Sequence, residues 1–146
     1  MTQVLVHHLM TTPVITLFAE QTLSLVQDLM RLKHVRHIPI IDDDSRLLGL
    51  VSHRDLLRAQ TSCLEALAAR EGASPATPPP TVRVRELMCE DVMTVAPDAP
   101  AAAAGHLLRD HAFGCLPVVD ASGRLVGIIT DRDFLRFAVR QLELHG

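Results

Sequence analysis

The chain has 146 residues, a net charge of −3 and 48% hydrophobic residues, yet only 3% aromatic ones, with neither Trp nor Tyr. This suits one compact domain or two small repeats sharing an aliphatic core. It excludes broad electrostatic attraction to nucleic acid or an anionic membrane, and no aromatic residues interleave with basic ones to make a single-strand stacking platform.

The opening Met1–His8 lacks a basic region followed by a long apolar run, so no secretory signal is read there. No uncharged apolar stretch reaches the roughly 20 residues a membrane helix needs. Cys63, Cys89 and Cys115 are odd in number and widely spaced, without a CxxC pair. That argues against a disulfide framework or a zinc knuckle and for a reducing compartment, so a soluble cytoplasmic protein is expected.

In chain order, Val14–Leu17 reads as a short strand after a proline. Leu23, Val26, Leu29 and Met30 follow helical spacing, with Thr22 as a candidate N-cap. Ile38–Ile41 is an apolar strand whose Pro39 must sit at a sheet edge or the first strand position, since it has no amide hydrogen. Asp42–Ser45 is a turn, Leu47–Val51 a buried strand, and Asp55 opens a helix with Leu56, Leu57, Leu64 and Leu67 on one side. The stretch Gly72–Pro80, with three consecutive prolines, is an extended linker. The order then recurs: Pro100 suits the first turn of a helix lined by Ala101, Ala104, Leu107 and Leu108. Leu116–Val119 and Leu125–Ile129 follow as strands, and Phe134, Leu135, Ala138 and Leu142 face one way on a last helix.

This recurrence is a repeat. Shifted by 78 residues, the sequence matches itself without gaps from Val6 to about Arg58. Met10 meets Met88, Thr16 meets Thr94, Pro39 meets Pro117, Gly49 meets Gly127, and Arg54 and Asp55 meet Arg132 and Asp133. The domains are therefore read as a first repeat over residues 1–70, a linker over 71–83 and a second repeat over 84–146. A unit of about 55 residues is marginal alone, so the two are expected to pack with pseudo-twofold symmetry as an α+β, sandwich-like fold.

The chemistry concentrates where a strand ends at Ser52 or Thr130 and feeds straight into a helix. The first amides of that helix lack partners and favour an anion. Arg54 and Arg132 can fork onto phosphate oxygens, and Asp55 and Asp133 can accept both hydroxyls of a ribose. Each turn thus carries what a nucleoside phosphate needs. The same Ser-x-x-Asp and Thr-x-x-Asp patterns also read as capping boxes that merely close the helix end.

With these motifs in place, the sequence resembles a pair of cystathionine-β-synthase (CBS) domains. The resemblance rests on the lead-ins Met10–Thr16 and Met88–Thr94, the middle signatures His37–Asp42 and Cys115–Asp120, and the two turns. It implies a regulatory, non-catalytic module of two β-α-β-β-α repeats, dimerising into a disk. Clefts between the repeats would bind an adenosine compound such as AMP, ADP, ATP, S-adenosylmethionine or NAD, with no required cofactor. By position, Ser52 and Thr130 would touch phosphate or ribose, and Asp55 and Asp133 would hold the ribose. The base would lie near Thr16, Val35, Arg36, His37 and Leu50, or near Thr94, Phe113, Gly114, Cys115 and Ile128. Because His53 is replaced by Asp131 in the second turn, unequal sites are expected, the Ser52/Asp55 turn suiting a phosphorylated ligand better.

Other readings carry less. His34, His37 and His53 have weak spacing for a metal site and no completing ligand. Cys115 reads as packing more than as a redox sensor. No nucleophile–base pair or Gly-rich phosphate loop is present. The competing class is a ligand-free dimerisation or interaction scaffold. In a sensor, ligand would shift populations and the helices near Asp55–Ala69 and Asp133–Leu144 would transmit the change to a separate, unidentified partner.

Overall fold

The computed structural model describes residues 2–68, 82–111 and 113–146. The linker lies outside the described residues except for Val82 and Arg83, as do the side chains of Leu64 and Leu67. The elements are α1 (Val6–Leu9), α2 (Leu23–Lys33), β1 (His37–Ile41), β2 (Leu47–Ser52), α3 (His53–Ala68), a 3-10 turn (Val84–Glu86), α4 (Ala101–Asp110), β3 (Cys115–Val119), β4 (Leu125–Thr130) and α5 (Asp131–His145). The fold is mixed helix and strand, with β1–β2 and β3–β4 as two small sheets. None of the helices among the described residues is long and apolar enough to cross a membrane.

Two compact units form, and they cut across the sequence repeats. Unit one comprises Met1–Val14, Asp43–Leu47 and Val92–Gly146; unit two comprises Ile15–Asp42 and Leu48–Asp91. The start of the chain therefore packs with the second repeat's helices and strands, and the segment after the linker packs with the first repeat's.

Backbone bonding shows how this comes about. In unit one, Thr11 and Ile128 exchange amide–carbonyl bonds of 2.8 and 3.1 Å on the free edge of β4. In unit two, Leu50 and Cys89 exchange bonds of 2.9 Å on the free edge of β2. Thr11 and Cys89 are 78 residues apart, as are Leu50 and Ile128, so the same exchange occurs twice. Glycine makes room for it. A Cβ on Gly49 would meet the Cys89 carbonyl oxygen at 2.8 Å and Met88 Sδ at 3.0 Å; one on Gly127 would meet Met10 Sδ at 2.5 Å.

The cores follow the same division. Leu17, Leu23, Val26, Ile38, Ile40, Val51, Leu56 and Val84 form the core of unit two. Val6, Leu9, Ala104, Leu116, Val118 and Ile129 form that of unit one. Val6 and Val84 are fully buried, so the exchanged segments supply core side chains, each contributing about 1.5–3 kcal/mol when removed from water.

Several sequence expectations are corrected. Val14–Leu17 is not a strand: only Leu17 bridges, parallel to Ile40, as Val95 bridges Val118. Pro39 meets its expectation by the first of its two alternatives: it stands inside β1, an edge strand of a two-stranded sheet, and Pro117 stands likewise in β3. Pro117 faces Ile128, whose own amide and carbonyl are turned away to Thr11. This is a non-hydrogen-bonded pair, so proline's missing donor leaves no gap in the ladder. Pro117 still accepts from Val95 at 3.1 Å.

Thr22 is the N-cap of α2 but its side chain makes no cap bond; its hydroxyl lies 3.1 Å from Ser24 Oγ. Pro100 is the N-cap of α4, one residue ahead of its expected place in the first turn. The helices α3 and α5 open two residues earlier than expected, at His53 and Asp131. On α5, Phe134 and Phe137 pack on the core, while Leu135 and Leu142 are exposed. Leu57 is exposed on α3. Neighbouring positions on a helix are about 100° apart, so Leu56 and Leu57, or Phe134 and Leu135, cannot share one buried face.

Candidate functional site

Each set of candidate residues falls within one compact unit. Thr16, Val35, Arg36, His37, Leu50, Ser52, Arg54 and Asp55 belong to unit two; Thr94, Phe113, Gly114, Cys115, Ile128, Thr130, Arg132 and Asp133 belong to unit one. Within unit two, the His53 amide donates to the Arg36 carbonyl at 2.7 Å, tying the loop ahead of β1 to the turn. Thr16 precedes Leu17, which is bonded into β1. Within unit one, Cys115 is the register partner of Thr130, so Phe113 and Gly114 approach the turn from the neighbouring strand.

The first turn is closed by a reciprocal capping box. Asp55 Oδ2 accepts from the Ser52 amide at 2.8 Å and the Ser52 hydroxyl at 2.9 Å, and the Asp55 amide donates to Ser52 Oγ at 3.2 Å. Asp55 is half-buried, and its other oxygen, Oδ1, has no partner among the described residues. Arg54 beside it is exposed, without an ion pair among the described residues.

The second turn has the same frame but a different balance. Asp133 Oδ2 accepts from the Thr130 amide at 2.8 Å and hydroxyl at 3.4 Å. Its Oδ1 accepts from the Thr11 hydroxyl at 2.7 Å and from Arg136 Nη1 at 3.4 Å. Four donors thus meet a carboxylate that offers about four lone-pair positions. Asp133 is only 4% exposed. Arg132 is exposed without an ion pair among the described residues, and Asp131 is exposed beside it.

Both aspartates therefore perform the helix-closing role that the sequence also allowed, and only Asp55 retains an uncommitted oxygen. Sequence reasoning missed Thr11 and Arg136 as partners of Asp133. Arg136 was legible, being three residues along the same helix. Thr11 was not, because nothing local says that a lead-in packs on the other repeat.

Cys115 is buried, and burial pushes its thiol up to about 12; a thiol so held stays protonated and unreactive near neutral pH. Among the described residues, no group of three or more His, Cys, Asp or Glu is placed to hold a metal ion. Unit one also carries an open pocket of about 470 Å³ lined by Gly105, Leu108, Arg109, Phe113, Asp131 and Phe134. Its mixture of apolar walls with one cation and one anion was not read from the sequence, since α4 and α5 meet only in three dimensions. Arg109 is joined to Asp110 at 2.8 Å, and that hydrogen bond holds the Asp110 carboxyl below the usual range.

The sequence profile of the CBS domain matches twice, over residues 6–62 and 84–140. A CBS domain-containing protein of Dictyostelium discoideum is 28% identical over 150 residues, covering 97% of this chain and 95% of its own length. The crystal structure of AcuB from Vibrio cholerae, a protein assigned to acetoin utilization, is 39% identical. It superimposes with a TM-score of 0.85 over 99% of this chain and 98% of that one. CBSX2, an Arabidopsis thaliana protein, crystallised in complex with AMP, is 30% identical, with a TM-score of 0.77 over 93% and 96% of the two chains. Enzymes also match, but over a small part of themselves: the chain spans 22% of a homoserine O-acetyltransferase from Methanohalophilus mahii, at 31% identity.

Proposed function

The chain belongs to the CBS-domain family, and on that premise we propose that it is a non-catalytic regulatory module that binds an adenosine-type nucleotide and controls a separate partner. One observation carries the reading to a place: the half-buried Asp55, with Oδ1 uncommitted, next to an exposed Arg54 at the start of α3. The free carboxylate oxygen accepts ribose hydroxyls, and the guanidinium forks onto phosphate. Thr16, Val35, Arg36, His37 and Leu50 surround the base with backbone and aliphatic groups, and Ser52 lies at the ribose–phosphate end. The equivalent positions Thr94, Phe113, Gly114, Cys115, Ile128, Thr130, Arg132 and Asp133 form the counterpart set, less suited to a phosphorylated ligand because Asp131 stands where the first turn has His53. The capture of AMP by CBSX2 supports AMP as the first ligand to test; ADP, ATP, S-adenosylmethionine and NAD complete the panel.

The deciding experiment is calorimetric titration of the full chain with that panel. Saturable binding of AMP, abolished by Asp55→Ala, is expected. Arg54→Ala should weaken AMP roughly tenfold while leaving adenosine nearly unchanged, since a charge-assisted bond to phosphate is lost. Unchanged AMP affinity in Asp55→Ala would refute the placement.

A second reading has its own observation. Leu135, Val139 and Leu142 are 65%, 45% and 71% exposed on α5, at spacings of four and three residues along one helical face. This stripe suits a second copy of the chain, and a homodimeric scaffold without ligand would use it alone. No binding of any nucleotide, with dimerisation intact, would favour the scaffold.

A further inference from the structure

We infer that Thr11 is a specificity-determining residue: its hydroxyl holds Asp133 shut, so that of two turns built on the same hydroxyl, arginine and aspartate frame only the Ser52/Asp55 turn takes a nucleotide. This rests on the functional reading above and goes beyond it, because it assigns the choice between turns to a residue outside both.

The repeat supplies two copies of one frame. Each turn has a hydroxyl residue, an arginine and an aspartate whose Oδ2 reaches back to the end of the strand. The exchanged lead-ins cross both sheets at equivalent positions, Thr11 opposite Ile128 and Cys89 opposite Leu50. At that bridging position the side chains differ, threonine in one lead-in and cysteine in the other. Thr11 Oγ1 donates to Asp133 Oδ1 at 2.7 Å, the shortest bond that carboxylate makes. Cys89 Sγ instead donates to the Asp91 carbonyl at 3.5 Å. A thiol is a weak donor, and here it is turned to its own segment. Asp55 Oδ1 is left without the partner that Asp133 Oδ1 has.

A ribose diol needs an acceptor with open lone pairs. At Asp133 those positions already hold Thr11 and Arg136, and the side chain is buried. Arg136 is a weaker obstacle: its contact is 3.4 Å and its side chain is 58% exposed, so it can swing into solvent. Thr11 is the firmer obstacle: its backbone is bonded to Ile128 on both sides, its hydroxyl contact is 2.7 Å, and its short β-branched side chain has few rotamers. Thr11 therefore acts through Asp133 as a positioning residue.

The test is calorimetric stoichiometry of AMP on the full-length chain, with three variants. Wild type should bind one AMP per chain. Thr11→Val, equal in shape but without the hydroxyl, should bind two, and its second event should survive Asp55→Ala. Thr11→Ser keeps the hydroxyl and should return to one. Cys89→Thr, which places the hydroxyl on the first turn, should weaken the wild-type event roughly tenfold or more; this exposed position keeps the inference testable even if Thr11→Val folds poorly. One AMP in both wild type and Thr11→Val, with Cys89→Thr unaffected, overturns the role of Thr11 and leaves the functional reading standing. No AMP bound by wild type or any variant overturns the functional reading and this inference with it.

Discussion

Asp55 and Asp133 show how one residue type at equivalent positions acquires two environments. Both close a helix end, but four donors surround Asp133 and two surround Asp55 Oδ2. Removing a buried acceptor strands its donors, at about 1–3 kcal/mol for each left unsatisfied. Asp133→Ala should accordingly lower stability by several-fold more than Asp55→Ala in urea unfolding, whereas Asp55→Ala should have the larger effect on AMP. The cysteines divide in a similar way. Cys89 is exposed and Cys115 buried with its thiol pushed up to about 12. In a Cys63→Ser background at pH 8, one thiol per native chain should react with a disulfide reagent, and Cys89→Ser should remove that reaction.

Among the elements, the two short sheets depend on the segments that cross them. β2 and β4 each present one edge to a single bridging residue, Cys89 or Thr11, and a glycine in the strand lets the crossing chain approach closely. Gly49→Ala drives a Cβ to 2.8 Å from a backbone carbonyl, which has no rotamer to yield. It should cost about 1–3 kcal/mol, the usual penalty for overpacking, and should speed amide exchange at Leu50 and Cys89. Gly127→Ala meets mainly Met10 Sδ, the flexible part of a side chain, so its effect should be smaller. The difference between the two variants, measured by thermal unfolding, checks the assignment of the clash to backbone in one strand and to side chain in the other.

For the molecule as a whole, the composition of the compact units is the governing fact. Unit one needs Val6, Leu9 and Thr11 from the start of the chain, and unit two needs Val84 and Cys89 from beyond the linker. Neither half of the chain contains a complete unit. Residues 1–75 or 76–146 produced alone should therefore give the collapsed amide spectrum of an unfolded chain, and mixing the two should restore dispersed signals. Folding of either half alone would contradict the division into units described above.

The amino-acid sequence by itself settled the number of repeats, their offset, the family resemblance and the type and place of the principal helices and most strands. Those follow from hydrophobic period, turn residues and a repeated motif, all of which are local or directly comparable along the chain. It also allowed two roles for Ser-x-x-Asp and could not choose between them. Pairing of Thr11 with β4 and of Cys89 with β2, the burial of Asp133 against the open oxygen of Asp55, and the exposure of Leu135 and Leu142 came from folding in three dimensions. Side-chain availability depends on which segments converge, and convergence between residues 122 positions apart, as for Thr11 and Asp133, leaves no mark in local periodicity.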